Sequence, residues 1–89
     1  MQEKTVTIVN KLGLHARASS KLVQLANHFK SEITVARGTR VVNAKSIMGL
    51  MMLAASKGTE IRLSIDGEDE QEAMNALTIL IADKFGEGS

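Results

Sequence analysis

The sequence predicts an α+β fold: a two-layer, open-faced sandwich in which three helices cover one face of a four-stranded, mostly antiparallel sheet, in the order βαββαβα. Three observations carry that expectation. The strand-like segments alternate apolar and polar residues, so each has one face to bury and one that water can take. Between them lie three stretches whose apolar residues recur at helical spacing, enough to cover a single face. The chain has 89 residues, a size that buries only about 60–65% of its unfolded surface and supports one core. Residues 1–89 therefore read as a single domain.

The first strand is expected over Lys4-Thr5-Val6-Thr7-Ile8-Val9, with Val6 and Ile8 on one face. Asn10 to Leu14 breaks the alternation at Gly13, as a loop does. From Ala16 the period changes. Ala18, Leu22, Leu25, Ala26 and Phe29 fall on one face of a helix. Glu32 to Arg37 alternates again with Ile33 and Val35 inward, and Gly38-Thr39 turns it into a second arm, Arg40 to Asn43. Ser46 to Leu53 reads as a short helix with serine as its N-cap, closed by Lys57-Gly58-Thr59. Glu60 to Ile65 is the cleanest strand, and Asp66-Gly67 ends it in a turn. Asp69 with Glu72 has capping-box spacing, and Ala73, Leu77, Leu80, Ile81 and Lys84 mark one stripe of the third helix. The acidic run Glu68-Asp69-Glu70 reads as a solvated helix start.

Composition excludes several classes of function. The chain has no Cys, which removes disulfides, thiolate zinc sites and cysteine nucleophiles together. Its longest apolar run, Ile47 to Ala55, contains Gly49 and falls far short of the roughly 20 residues a membrane span needs. The N-terminus lacks a signal-peptide core, so no membrane insertion is expected and the default compartment is the cytoplasm. Charge is unevenly spread: residues 1–44 hold seven Lys/Arg against two Asp/Glu, and residues 45–89 hold four against eight. A basic half can attract nucleic acid, yet two Phe and no Trp or Tyr leave almost no stacking platform. Small anions such as phosphate suit it better.

Two histidines can carry chemistry. His28, near the end of the first helix, reads as a solvated or packed helix-end residue. His15 follows a glycine-containing loop and stands immediately before the first helix, beside Ala16 and Arg17. A helix start presents N–H groups with no intrahelical partner and binds phosphate readily. Neutral imidazole is a nucleophile near physiological pH, and a guanidinium forks onto phosphoryl oxygens. On spacing alone, the same residues also fit a capping histidine beside an incidental surface arginine. No metal-ligand spacing, phosphate-binding glycine loop or nucleophile elbow is present, so no metal or cofactor is expected. The second helix is the other oddity. Ile47, Met48, Leu50, Met51, Met52 and Leu53 are more apolar groups than two turns bury on one side. They make either a crowded core helix or an exposed methionine-rich docking patch.

Two segments resemble a known family. Lys11-Leu12-Gly13-Leu14-His15-Ala16-Arg17-Ala18 is similar to the active-site segment of HPr, the histidine-containing phosphocarrier family of the bacterial sugar phosphotransferase system. Asn43 to Met51 is similar to the segment that carries that family's regulatory serine, and Gly67 to Glu70 with the closing helix resembles its C-terminal third. The resemblance implies a phosphocarrier rather than an enzyme, phosphorylated on Nδ1 of His15 by enzyme I from phosphoenolpyruvate. It implies transfer onward to IIA domains of sugar permeases, with Arg17 assisting. It further implies Ser46 as a site for a serine kinase/phosphorylase, and docking through the first helix and the apolar patch. The residues expected there are Ala16, Lys21, Ile47, Met48 and Met51. Nothing requires more than a monomer. The family commonly has Pro after the arginine, where this chain has Ala18. Two other readings share the fold: a carrier of the related nitrogen-control branch, and a non-catalytic regulatory docking module.

Overall fold

The structure, a computed structural model, describes residues 1–88. Seven elements follow one another: β1 (Gln2–Thr7), α1 (Ala16–Ala26), β2 (Glu32–Arg37), β3 (Arg40–Asn43), α2 (Ile47–Met52), β4 (Glu60–Asp66) and α3 (Glu70–Ala82). A 3-10 turn, Lys84–Gly86, follows α3. The sheet runs β1-β4-β2-β3, and every pairing is antiparallel.

Alternation fixes which face is covered. Ile33 and Val35 of β2 lie opposite Ile65 and Leu63 of β4, and all four are buried with Ile61. Between them Glu60, Arg62 and Glu32 stand exposed on the other side, which is why the sheet needs only one helical layer. That layer contributes Ala18, Leu22 and Ala26 from α1, Leu50 from α2, and Ala73, Leu77 and Ile81 from α3. Burying a Leu or Ile side chain stabilises by about 1.5–3 kcal/mol, so this shared cluster holds the two layers together.

β1 is shifted two residues toward the N-terminus relative to the alternation, which suggested Lys4 to Val9. β4 decides this, because it offers partners from Glu60 to Ile65 for Thr7 back to Gln2. Ile8 leaves the ladder yet stays in the core, fully buried, with its carbonyl taking the Gly58 amide at 2.8 Å.

The capping box expected at Asp69 and Glu72 does not form. Asp69 occupies the N-cap of α3 without a side-chain capping bond. Its carboxylate instead crosses to the loop before β2, accepting the Lys30 amide at 2.8 Å, the Ser31 amide at 3.0 Å and the Ser31 hydroxyl. These donors, the Ser31 hydroxyl foremost, hold the Asp69 carboxyl below the usual carboxylate range. Gly67 permits the approach, since a Cβ there would stand 2.4 Å from the Ser31 hydroxyl oxygen. Glu70 takes over at the helix start, accepting the Gly67 amide at 3.2 Å.

Candidate functional site

His15 is placed by the loop that precedes α1. Gly13 has φ +66, and a Cβ on it would come within 2.3 Å of the Ala55 carbonyl oxygen, so only glycine fits this approach. The same Ala55 carbonyl accepts the Leu14 amide at 2.9 Å. Leu14 is buried, and its carbonyl accepts the Ser19 hydroxyl at 3.2 Å. The next residue, His15, therefore has little freedom, and it becomes the N-cap of α1 with extended backbone geometry.

Both nitrogens of its ring have a close polar neighbour, and Nδ1 makes a hydrogen bond. Nδ1 accepts the Ala18 amide at 3.1 Å, doing for α1 what a serine or asparagine oxygen usually does. A backbone amide only donates, so Nδ1 carries no proton in this arrangement, and the proton of the neutral ring sits on Nε2. Nε2 lies 3.0 Å from Oε2 of Glu87. The side chain is about a quarter exposed, at 26%, and opens into a shallow cleft lined by Lys11, Leu12, Ala16, Arg17 and Glu87. Arg17 is exposed and forms no salt bridge among the described residues. A nucleophilic nitrogen, a helix N-terminus and two cations, Lys11 and Arg17, thus share one cleft. That combination has the chemistry to hold a phosphoryl group.

His28 is placed differently. It lies beyond the other end of α1, exposed, with Nδ1 donating to the Gln24 carbonyl at 2.8 Å. Among the described residues it does not line the cleft that holds Arg17.

α2 resolves the crowding in the sequence. Leu50 and Leu53 are buried, while Met48 is 70% exposed and Ile47, Met51 and Met52 also face outward. Ser46 is its N-cap, accepting the Gly49 amide on its hydroxyl oxygen at 3.1 Å. Two arginines of the β2–β3 hairpin fix its far end: Arg37 donates to the Leu53 carbonyl at 2.9 Å and Arg40 to the Met52 carbonyl at 2.6 Å. α1 and α2 pack against each other, so the apolar patch and the His15 loop sit on one layer. Ala16 is exposed on the first turn of α1.

Lys21, expected in the docking surface, is already engaged within the fold. It is half-buried, and its Nζ donates to the Phe85 carbonyl at 2.6 Å. Lys45, beside Ser46, is likewise engaged, donating to the Phe29 carbonyl at 2.8 Å. The residues that sequence reasoning missed are Asn10, Lys11, Leu12 and Glu87. Leu12 is 65% exposed at the mouth of the cleft. Glu87 lies far down the chain from His15 with no periodic pattern to bring it back, so only the fold reveals it.

The chain is similar to known proteins over nearly its whole length. The family described as PTS HPr component phosphorylation site matches residues 2–83. The chain is 60% identical over 88 residues to the phosphocarrier protein HPr of Cupriavidus necator, covering 99% of each chain. It is 61% identical over 88 residues to that of Neisseria meningitidis serogroup B, again covering 99% of each. Among solved structures, HPr-C-His from Thermoanaerobacter tengcongensis superimposes with a TM-score of 0.94 at 52% identity, covering 98% of both chains. Among the described residues, no helix is long and apolar enough to cross a membrane.

Proposed function

This chain belongs to the HPr family of phosphotransferase-system phosphocarriers, and from that premise we propose that it accepts a phosphoryl group from enzyme I on Nδ1 of His15 and passes it to IIA domains of sugar permeases. The observation that carries this reading is the placement of Nδ1: an unprotonated nitrogen at the start of α1, 3.1 Å from the Ala18 amide, in the cleft that Arg17 lines. Attack exchanges that hydrogen bond for a nitrogen–phosphorus bond. The N–H groups of the first turn and the Arg17 guanidinium then meet the phosphoryl oxygens, whose charge they stabilise. Phosphoimidazole is a transient store, and the same contacts release it to the next acceptor by reversal of the step. The protein is accordingly a co-substrate of its partners rather than an enzyme, and it works as a cytoplasmic monomer.

Docking would use the exposed face of α1, with Ala16 and Arg17, and the apolar groups Ile47, Met48 and Met51. A partner with an apolar centre and an acidic rim fits such a surface. Lys21 contributes to that rim only with the ammonium hydrogens that Phe85 leaves unused. Ser46, at the head of the same patch, would be the regulatory site, modified by a serine kinase/phosphorylase to weaken docking.

Incubation with phosphoenolpyruvate carrying labelled phosphate tests the reading, with enzyme I of the sugar branch and its nitrogen-branch counterpart supplied separately. The expected result is labelling by the sugar-branch enzyme, lost in His15→Ala and kept in His28→Ala. Labelling by the nitrogen-branch enzyme alone would move the carrier to that pathway, and labelling that survives loss of His15 would overturn the assignment.

A further inference from the structure

Glu87 is held against the His15 ring by two separate segments of the chain. Its Oε2 stands 3.0 Å from Nε2 of His15. That oxygen is buried, in a side chain only 10% exposed, and makes no aligned hydrogen bond among the described residues, so its contact with Nε2 is one of charge. A buried carboxylate oxygen without a donor is costly unless a charge or a proton faces it. The imidazole is the group that faces it.

The rest of Glu87 is fixed. Oε1 accepts Nδ2 of Asn10 at 3.0 Å. Asn10 is fully buried and also donates to the Gly13 carbonyl at 2.8 Å, within the loop that places His15. From the other side, the closing turn holds the backbone. Lys84 and Phe85 both adopt positive φ, at 57° and 55°, a conformation unfavourable for residues with side chains. Full burial of Phe85 and the 2.6 Å bond from Lys21 to its carbonyl offset that strain. The Glu87 amide then closes the turn on the Lys84 carbonyl at 3.0 Å. Two separate segments, Asn10–Gly13 and Lys84–Glu87, converge to deliver one carboxylate to one ring nitrogen.

We propose that Glu87 is a positioning residue for the phosphoacceptor, keeping the imidazole proton on Nε2 and countering the positive charge the ring gains on attack. This rests on the reading of His15 as the acceptor. In the step, the Nδ1 lone pair forms the bond to phosphorus, and the donor's bond to phosphorus breaks with its electron pair going to the donor. Nε2 keeps its proton throughout. The ring becomes a phosphoimidazolium, and its positive charge is shared with the Nε2–H that the Glu87 carboxylate faces. A carboxylate behind a histidine acts in this way whenever the ring must become cationic. Release to the next acceptor runs through the same charged ring, so one carboxylate serves both directions. With the Ala18 amide on Nδ1, each ring nitrogen has its own partner, and the nucleophilic nitrogen is set before any donor arrives.

The test is Glu87→Gln in the full chain. Glutamine keeps the shape but offers one oxygen, which cannot serve both Asn10 and the ring, and it carries no charge. The turnover of phosphoryl acceptance from phosphorylated enzyme I should fall about 10-fold with an unchanged Michaelis constant, because an anion on the far side of the ring acts on the charged transition state. In proton NMR of the unphosphorylated protein, the Nε2 proton of His15 should be visible in the wild type and lost to rapid exchange in the variant. Unchanged turnover would overturn the proposal, as would an Nε2 proton equally visible in both proteins. The NMR arm needs no phosphoryl donor. If His15→Ala still accepted phosphate, the acceptor assignment would fail, while the NMR result would still report whether Glu87 holds the ring.

Discussion

Nδ1 of His15 and the amide of Ala18 are 3.1 Å apart, so one lone pair both caps α1 and serves as the proposed nucleophile. A proline after Arg17, the residue the resembling family commonly carries, has no N–H and could not form this bond. Here the acceptor nitrogen is masked by a donor, and that masking has a kinetic consequence.

Ala18→Pro should free the lone pair. A hydrogen bond of about 1 kcal/mol net need no longer break before attack, which corresponds to roughly a 5-fold faster acceptance. Stability should change by no more than about 1 kcal/mol, since the lost cap is partly offset by a proline suited to the first helical turn. Stopped-flow phosphoryl transfer with parallel thermal melts checks both. Slower acceptance at unchanged stability would contradict the masking account.

Arg17 is exposed and outside any salt bridge among the described residues, so it is free to meet the phosphoryl group. Arg17→Ala should leave the melting temperature nearly unchanged and slow transfer by about 10²-fold, the typical effect of losing a charged contact made in the transition state. A comparable fall in stability would instead make the arginine part of the fold.

Met48, 70% exposed on α2, probes the docking face. Met48→Glu places an acid where a partner's apolar centre should land, and the Michaelis constant of the carrier should rise with enzyme I and with a IIA domain alike. Circular dichroism should be unaltered. A rise with one partner only would mean that the two do not share this patch.

The Ser46 hydroxyl caps α2 through the Gly49 amide at 3.1 Å. Aspartate offers an equivalent acceptor oxygen together with a charge favoured at a helix start. Ser46→Asp should hold or raise thermal stability and weaken acceptance from enzyme I, because the new charge stands beside Ile47 and Met48. Ser46→Ala should instead cost about 1 kcal/mol through loss of the cap and leave acceptance intact. Wild-type acceptance by the aspartate variant would remove the inhibitory reading of this site.

What the sequence made legible was what repeats along it. The alternation of β2 and β4 and the spacing of Ala18, Leu22 and Ala26 encode a face, and a face survives small errors of register. His15 and Ser46 were legible as helix starts because each stands where the helical period begins, whereas the roles proposed for them came with the family resemblance. Contacts between distant segments leave no such trace. Asp69 has the spacing of a capping residue, yet its carboxylate is taken by the Lys30 and Ser31 amides, because the loop before β2 packs against the α3 start and offers unpaired donors. Lys21 looks like a surface cation until Phe85 folds back beneath it. Glu87 follows a glycine and lies 77 positions from the Asn10 that holds it, so its role depends on a turn whose strain is visible only in three dimensions.

The central claim is that Nδ1 of His15 takes the phosphoryl group, and NMR of the phosphorylated protein with 15N-labelled histidine tests it most directly. Phosphorylation by enzyme I should give one phosphohistidine, with phosphorus coupled to Nδ1 of His15. Nε2 should keep its proton, and the Ala18 amide should move sharply as the Nδ1 lone pair it donates to is taken up by phosphorus. Phosphorus coupled to Nε2, or to either nitrogen of His28, would contradict the account.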